Sequence, residues 1–195
     1  QGWRQIGYWT SPVGPRAFTG TLDGNGFSLS HLFISTSSQD AGFIYIGPGG
    51  TVKNLRLVNP TIQSTTHYVG ALSSACYGTI DQCAVEGGSV SGADSVGGLT
   101  GRIYTGVVTD SYATASVKGM NCVGGFSGDT QGICSISHCF AAGKVSGTGF
   151  NIGGFIGLNG NGVSKCYWDV TASGCNSSAG DVVPLTTSQM MQQSS

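Results

Sequence analysis

Charge is scarce in this sequence: 8 Lys and Arg and 9 Asp and Glu make up 9% of 195 residues, a net charge of −1 at pH 7. With no basic or acidic surplus, electrostatics gives no reason to expect nucleic acid or an anionic membrane as partner. Long apolar runs are missing too, and none approaches the ~20 residues that a membrane span needs. His31, His67 and His138 lie far apart and no CxxC occurs, so the cysteines fit no zinc pattern. An initiator Met, a basic leader and a signal-like apolar core are also lacking, which reads as a fragment or processed product of a longer protein. No metal and no cofactor is expected.

What the sequence does have is glycine, 34 residues of it, with Ser and Thr filling much of the rest. Such a composition could belong to a disordered linker. Val, Ile, Leu and Phe recur too regularly for that. "YVGALSSACYGTIDQCAVEGGSVSGAD" from Tyr68 is followed by three further versions of nearly the same text. Aligned on one β-prone segment, the central column is Leu55, Cys83, Ser111, Cys139 and Cys166, with steps of 28, 28, 28 and 27. Leu29 to Ile34 reads as an earlier copy. A second register runs through Gly42, Gly70, Gly97, Gly124 and Gly153, each leading into an apolar residue. A third is Ile62, Val90, Val117 and Val145.

Three short segments per repeat, divided by Gly and alternating with period two, cannot be useful helices. None is long enough to bury its apolar face alone, and stacking equivalent segments ~4.8 Å apart solves that problem. The expected fold is all-β: a right-handed parallel β-helix of about six rungs, ending in a short C-terminal helix. A β-sandwich would not require such columns. Within residues 1–195 the reading is one domain, with opening rungs over 1–60, repeats over 61–168 and a closing segment over 169–195. The column of Leu55 and the cysteines should point inward, with Cys as a small apolar filler, as should Leu57, Val85, Ala113 and Ala141. Arg56, Ala84, Tyr112, Phe140 and Tyr167 should point out, beside Asn54, Gln82, Asp110, His138 and Lys165.

Three stretches resemble the GLUG-repeat family. Val96-Gly-Gly-Leu-Thr-Gly101 is similar to its VGGLxG core. "FTGTLDGNGFSLSHLFI" from Phe18 looks like its opening segment, and "CYWDVTASG" with "LTTSQM" looks like its closing one. The match spans nearly the whole chain; Ala71 for the second Gly and Ser111 among the cysteines depart from it. Such segments occur in filamentous-haemagglutinin-like adhesins and in regions upstream of IgA-cleaving metallopeptidase domains. The resemblance therefore implies a right-handed β-helix at the cell surface or outside the cell.

Candidate chemistry is thin. Asp23-Gly-Asn-Gly26 could open a calcium loop, but Ile34 stands where an EF-hand needs Glu, so a tight turn is expected. The Gly run from Gly157 to Gly162 lacks the spacing and context of a phosphate loop. Among nine acids only Asp81 and Asp110 come near one another along the columns, which is no basis for a glycosidase or lyase site. Cys139 faces away from His138, which argues against a nucleophile–base pair. Cys139 and Cys166 sit on neighbouring rungs, where a disulfide and a reduced ladder are both open.

For binding, the candidates are the aromatic ladder Tyr112, Phe140 and Tyr167, and after it Tyr77 and Tyr104 in matching loops. These rings could equally cover the solenoid or pack on flanking segments of the parent chain. Two function classes follow. One is a non-catalytic extracellular structural or adhesive module that meets a cell-surface glycan or protein. The other is a carbohydrate-active β-helix enzyme, or an accessory segment of a secreted peptidase.

Overall fold

Each circuit of the chain passes through five short strands, and in the computed structural model the third circuit shows them most plainly. They are Thr79–Asp81, Ala84–Glu86, Ser89–Ser91, Asp94–Gly97 and Thr100–Ile103. Equivalent strands stack in parallel into five sheets of six, seven, five, four and five strands, making a parallel β-helix of about five turns. The structure describes residues 2–10, 14–37 and 40–193. A small antiparallel pair, Tyr8–Thr10 with Gly14–Arg16, precedes the stack.

The apolar columns run straight up the interior. Leu22, Val52, Ile80, Val108, Ile136 and Val163 share one register. Ile34, Ile62, Val90, Val117 and Val145 share another. Leu57, Val85, Ala113 and Ala141 are fully buried, as expected. Burying side chains of like size on successive rungs is the main favourable term in holding the stack together.

The sequence suggests three strands per repeat and the structure has five, for two local reasons. First, the segment running from Ile80 to Val85 is broken by a corner. Asn54, Gln82, Asp110, His138 and Lys165 all adopt left-handed backbone there, with φ of 53, 50, 49, 55 and 51°. Second, the glycine register is a reversal. Strands Asp94–Gly97 and Thr100–Ile103 fold face to face about Gly98 and Leu99. A Cβ on Gly97 would lie 2.0 Å from the Thr100 carbonyl oxygen, and one on Gly101 would lie 2.5 Å from the Tyr68 backbone. Those contacts give the VGGLxG text its physical meaning: two main chains touch where a side chain would stand.

The corner also corrects the role of its inward column. Cys83, Ser111, Cys139 and Cys166 are at most 1% exposed, and Leu55 is half-buried against the core. Each Cys or Ser here is more than a filler. The thiols of Cys83, Cys139 and Cys166 donate to the carbonyl two residues back at 3.4, 3.2 and 3.2 Å, and the Ser111 hydroxyl does so at 2.7 Å. Ser111 is thus a stronger donor in the same place, not a defect.

The opening copy needs a second correction. Leu29 lies on Leu57, and it is Leu22 that lies on Val52, so Leu29–Ile34 is not the counterpart of Val52–Leu57. The opening corner carries two additional residues. They form a tight turn in which Asn25 (φ 48°) and Gly26 (φ 77°) are both left-handed and the Phe27 amide donates to the Gly24 carbonyl at 2.7 Å. The Asp-Gly-Asn-Gly stretch is a turn, with Asp23 tied to Asn54 at 3.0 Å and to Lys53 at 3.4 Å.

At the other end the closing text builds a clasp. Asp169, 2% exposed, caps helix α1 (Val170–Ser173) by accepting from the Thr171 and Ala172 amides, both at 2.9 Å. Gly174 ends that helix in the left-handed region at φ 70°. The second Asp169 oxygen accepts from Thr187 at 2.7 Å, at the start of helix α2 (Thr187–Gln193). Thr186 and Gln189 form a capping box for α2, the Thr186 amide donating to Gln189 at 2.8 Å and the Gln189 amide to Thr186 at 3.3 Å. Strand Val183–Leu185 then adds itself to the second sheet, beside Tyr167–Asp169.

Candidate functional site

The outward column of the second sheet is Arg56, Ala84, Tyr112, Phe140 and Tyr167, each paired with the next along the stack. Tyr112 and Phe140 stack face to face, with centroids 4.7 Å apart and planes 4° apart. Their faces therefore cover each other and they offer edges to solvent. Ala84 points outward as expected but is only 6% exposed, because Arg56 and Tyr112 close over it. Glu86 joins those two, pairing with the Arg56 guanidinium at 3.4 Å and accepting from the Tyr112 hydroxyl. Burial first, and then the bond to Glu86, hold the Tyr112 phenol above its ordinary pKa.

Tyr167 is part of a hollow of about 580 Å³ that α2 helps to wall, with Met190 and Met191 opposite Phe140 and Tyr167, and His138 and Lys165 at the rim. A second hollow of about 530 Å³ lies lower on the same line, between Asn54, Gln82 and Asp110 on one side and Arg56 and Tyr112 on the other. The sequence pointed to the rings. It gave no sign of the methionines, because nothing in the repeat period says where a closing segment lies back.

Tyr77 and Tyr104 do meet, with centroids 5.2 Å apart. Tyr45 extends that stack, 5.9 Å from Tyr77. Sequence reasoning missed Tyr45 because it precedes Tyr77 by 32 residues, off the period. Burial pushes the Tyr45 phenol far up. The structure leaves this group apart from the Tyr112 column, on the fifth sheet.

Other polar groups are structural. Asp81 stacks on Thr109, not on Asp110, and accepts its hydroxyl at 2.7 Å, so the two carboxylates do not form a pair. Asp129, 2% exposed, accepts from Gln131 and Asn159 at 2.8 Å each and lies 3.3 Å from Arg102, whose guanidinium covers the Tyr68 ring at 4.0 Å. Among the described residues no group of three or more His, Cys, Asp or Glu could hold a metal ion. No described helix is long and apolar enough to cross a membrane.

All seven cysteines are free thiols, so Cys139 and Cys166 form the reduced ladder. Burial pushes Cys76 up to about 12 and Cys83 to about 11, and raises Cys139 as well. These thiols should resist iodoacetamide at pH 8 in the native protein and all react in urea; rapid native alkylation of Cys76 or Cys83 would contradict their burial. Their folded pKa exceeds the unfolded value of 9.0, so their contribution to stability is complete below pH 9 and falls as pH rises from 9 towards 11 to 12.

Comparison with known proteins agrees with this architecture. The model of the GLUG motif matches residues 92–118. Halomucin of Haloquadratum walsbyi is 32% identical over 219 residues, covering 90% of this chain and 2% of that protein. A Bacteroides ovatus crystal structure named as an immunoglobulin A1 protease is 16% identical, with a TM-score of 0.65 over 97% of this chain and 75% of that one, which speaks to fold alone. The chain thus spans a very small part of halomucin's length. Motif, columns and fold converge: this is a parallel β-helix that carries a GLUG motif at residues 92–118.

Proposed function

We propose that the chain is a non-catalytic structural and adhesive module of a larger extracellular or cell-surface protein, making contact along the outer face that carries Tyr112, Phe140 and Tyr167. The observation that carries this reading is the repeat itself. One column sets aromatic side chains in a line outside a continuous core, which suits presentation and many weak contacts better than a single reaction centre. Similarity to a protein named halomucin supports a place outside the cell. The aromatic edges and the methionines of α2 are apolar features outside the core and so candidates for contact energy. The Tyr112→Ala/Phe140→Ala/Tyr167→Ala triple variant, shown by circular dichroism to be folded, should lose adhesion to cells. Undiminished adhesion would move attention to Tyr77 and Tyr104, and release of sugars from polysaccharide by the parent chain would sink the non-catalytic reading.

A further inference from the structure

The two hollows beside the second sheet lie on one line, and together they follow the left-handed corner over five rungs. One wall is the corner ladder: Asn54, Gln82 and Asp110 in the lower hollow, His138 and Lys165 in the upper. The other wall is Arg56, Tyr112, Phe140 and Tyr167. The Asn25–Gly26 turn bounds the groove below, and Met190 and Met191 of α2 bound it above. From this geometry we infer that the groove is a binding site for a linear, neutral glycan chain laid along the solenoid axis. The inference rests on the adhesive reading and narrows its ligand.

Three observations select that ligand. The groove is long and repeats at rung spacing, so it fits a chain of similar units and not one compact molecule. Its side chains include an amide, a carboxylate and an ammonium still free to bond: Gln82, Asp110 and Lys165 are exposed, and their side chains make no hydrogen bond or ion pair with the described residues. Groups of this kind satisfy hydroxyls, which both donate and accept, while the aromatic edges and the methionines meet the apolar C–H surface of a sugar chain. The third observation is charge. Arg56 is neutralised by Glu86, Asp110 and Lys165 are of opposite sign, and Asp169 adds a carboxylate to the upper hollow, so the groove has no positive surplus to draw a polyanion.

An extended peptide fits less well. Peptides laid along β-structure are held chiefly by main-chain bonds to an open edge. Here the corner amides of Asn54, Gln82 and Asp110 already donate up the stack, to the Asp81, Thr109 and Ser137 carbonyls. This face has walls but no edge.

The test is affinity electrophoresis of the whole chain in gels holding linear neutral polysaccharides (xylan, mannan, hydroxyethyl cellulose, glycol chitin) or the polyanion alginate. At least one neutral polymer should retard the parent, and alginate should not. Gln82→Gly and Asp110→Gly remove the side chains without backbone strain, since glycine is at ease in the left-handed region. Each should weaken retardation by about tenfold, the cost of losing one or two ligand hydrogen bonds, with melting unchanged. Lys118→Ala, on the third sheet, should bind as the parent does. Retardation by alginate alone, or by no polymer, overturns the inference, as does parental retardation of both glycine variants. Adhesion to protein-coated surfaces without retardation in any gel would overturn the glycan and leave the adhesive reading standing. Loss of both would remove the two together.

Discussion

Replacing Gly97 by alanine should cost about 3 kcal/mol or more, although it adds one methyl group to a strand. The methyl carbon would stand 2.0 Å from the Thr100 carbonyl oxygen and 2.7 Å from the Gly128 amide nitrogen, both main-chain atoms held in ladders above and below. A flexible side chain could swing away; these atoms can move only if the reversal between the fourth and fifth strands opens. For a chain of this length the fall in melting temperature should be roughly 6–12 °C, read by thermal or urea denaturation. Gly20→Ala is the control. Its methyl would meet only the end of the Phe18 ring, at 3.4 Å, so a change within about 0.5 kcal/mol is expected. Equal melting of the two variants would show that the VGGLxG glycines serve something other than close approach of two backbones.

The same contact explains which parts of the fold were legible. Columns such as Ile62, Val90, Val117 and Val145 are visible in sequence because each rung repeats one environment, and the structure keeps their register throughout. Five strands instead of three were not legible. A left-handed corner occupied by Asn54, Gln82, Asp110, His138 and Lys165 carries no glycine to announce it, and its chemistry changes at every rung. The opening copy was misread for a related reason. Two extra residues at Asn25 and Gly26 lengthen the corner, and the spacing from Leu22 to Leu29 then differs from that between Val52 and Leu57. The site was half legible. Tyr112 and Phe140 follow the period and do stack, but the hollow beside Phe140 and Tyr167 depends on Met190 and Met191, which lie beyond the last repeat.

Cys139→Asp should be more damaging than any exposed substitution, whereas Cys139→Ser should leave stability nearly unchanged. The side chain at 139 is 1% exposed and points into the corner between rungs, where its thiol donates to the Ser137 carbonyl at 3.2 Å and toward the Val108 carbonyl at 3.8 Å. A carboxylate there would face the Ser137 and Val108 carbonyl oxygens, with only the Ser111 amide and the Cys166 thiol as donors and no cation to balance its charge. Leaving a charge buried and unpaired costs roughly 3–5 kcal/mol, and escape by protonation costs part of the same amount at neutral pH. Destabilisation by Asp should therefore shrink as pH falls from 7 to 4, because a neutral acid can donate where the thiol did. Serine supplies that donor directly, as Ser111 does one rung below at 2.7 Å to the Thr109 carbonyl. The pair of variants separates two accounts of the column. If Cys139 were only an apolar filler, Ala would match the parent and Ser would lose stability; if it is a donor at a strained corner, Ser matches the parent and Ala loses about 1 kcal/mol. Urea melts of the three variants at pH 7 decide between them, and an Asp variant as stable as the parent would place residue 139 outside the core.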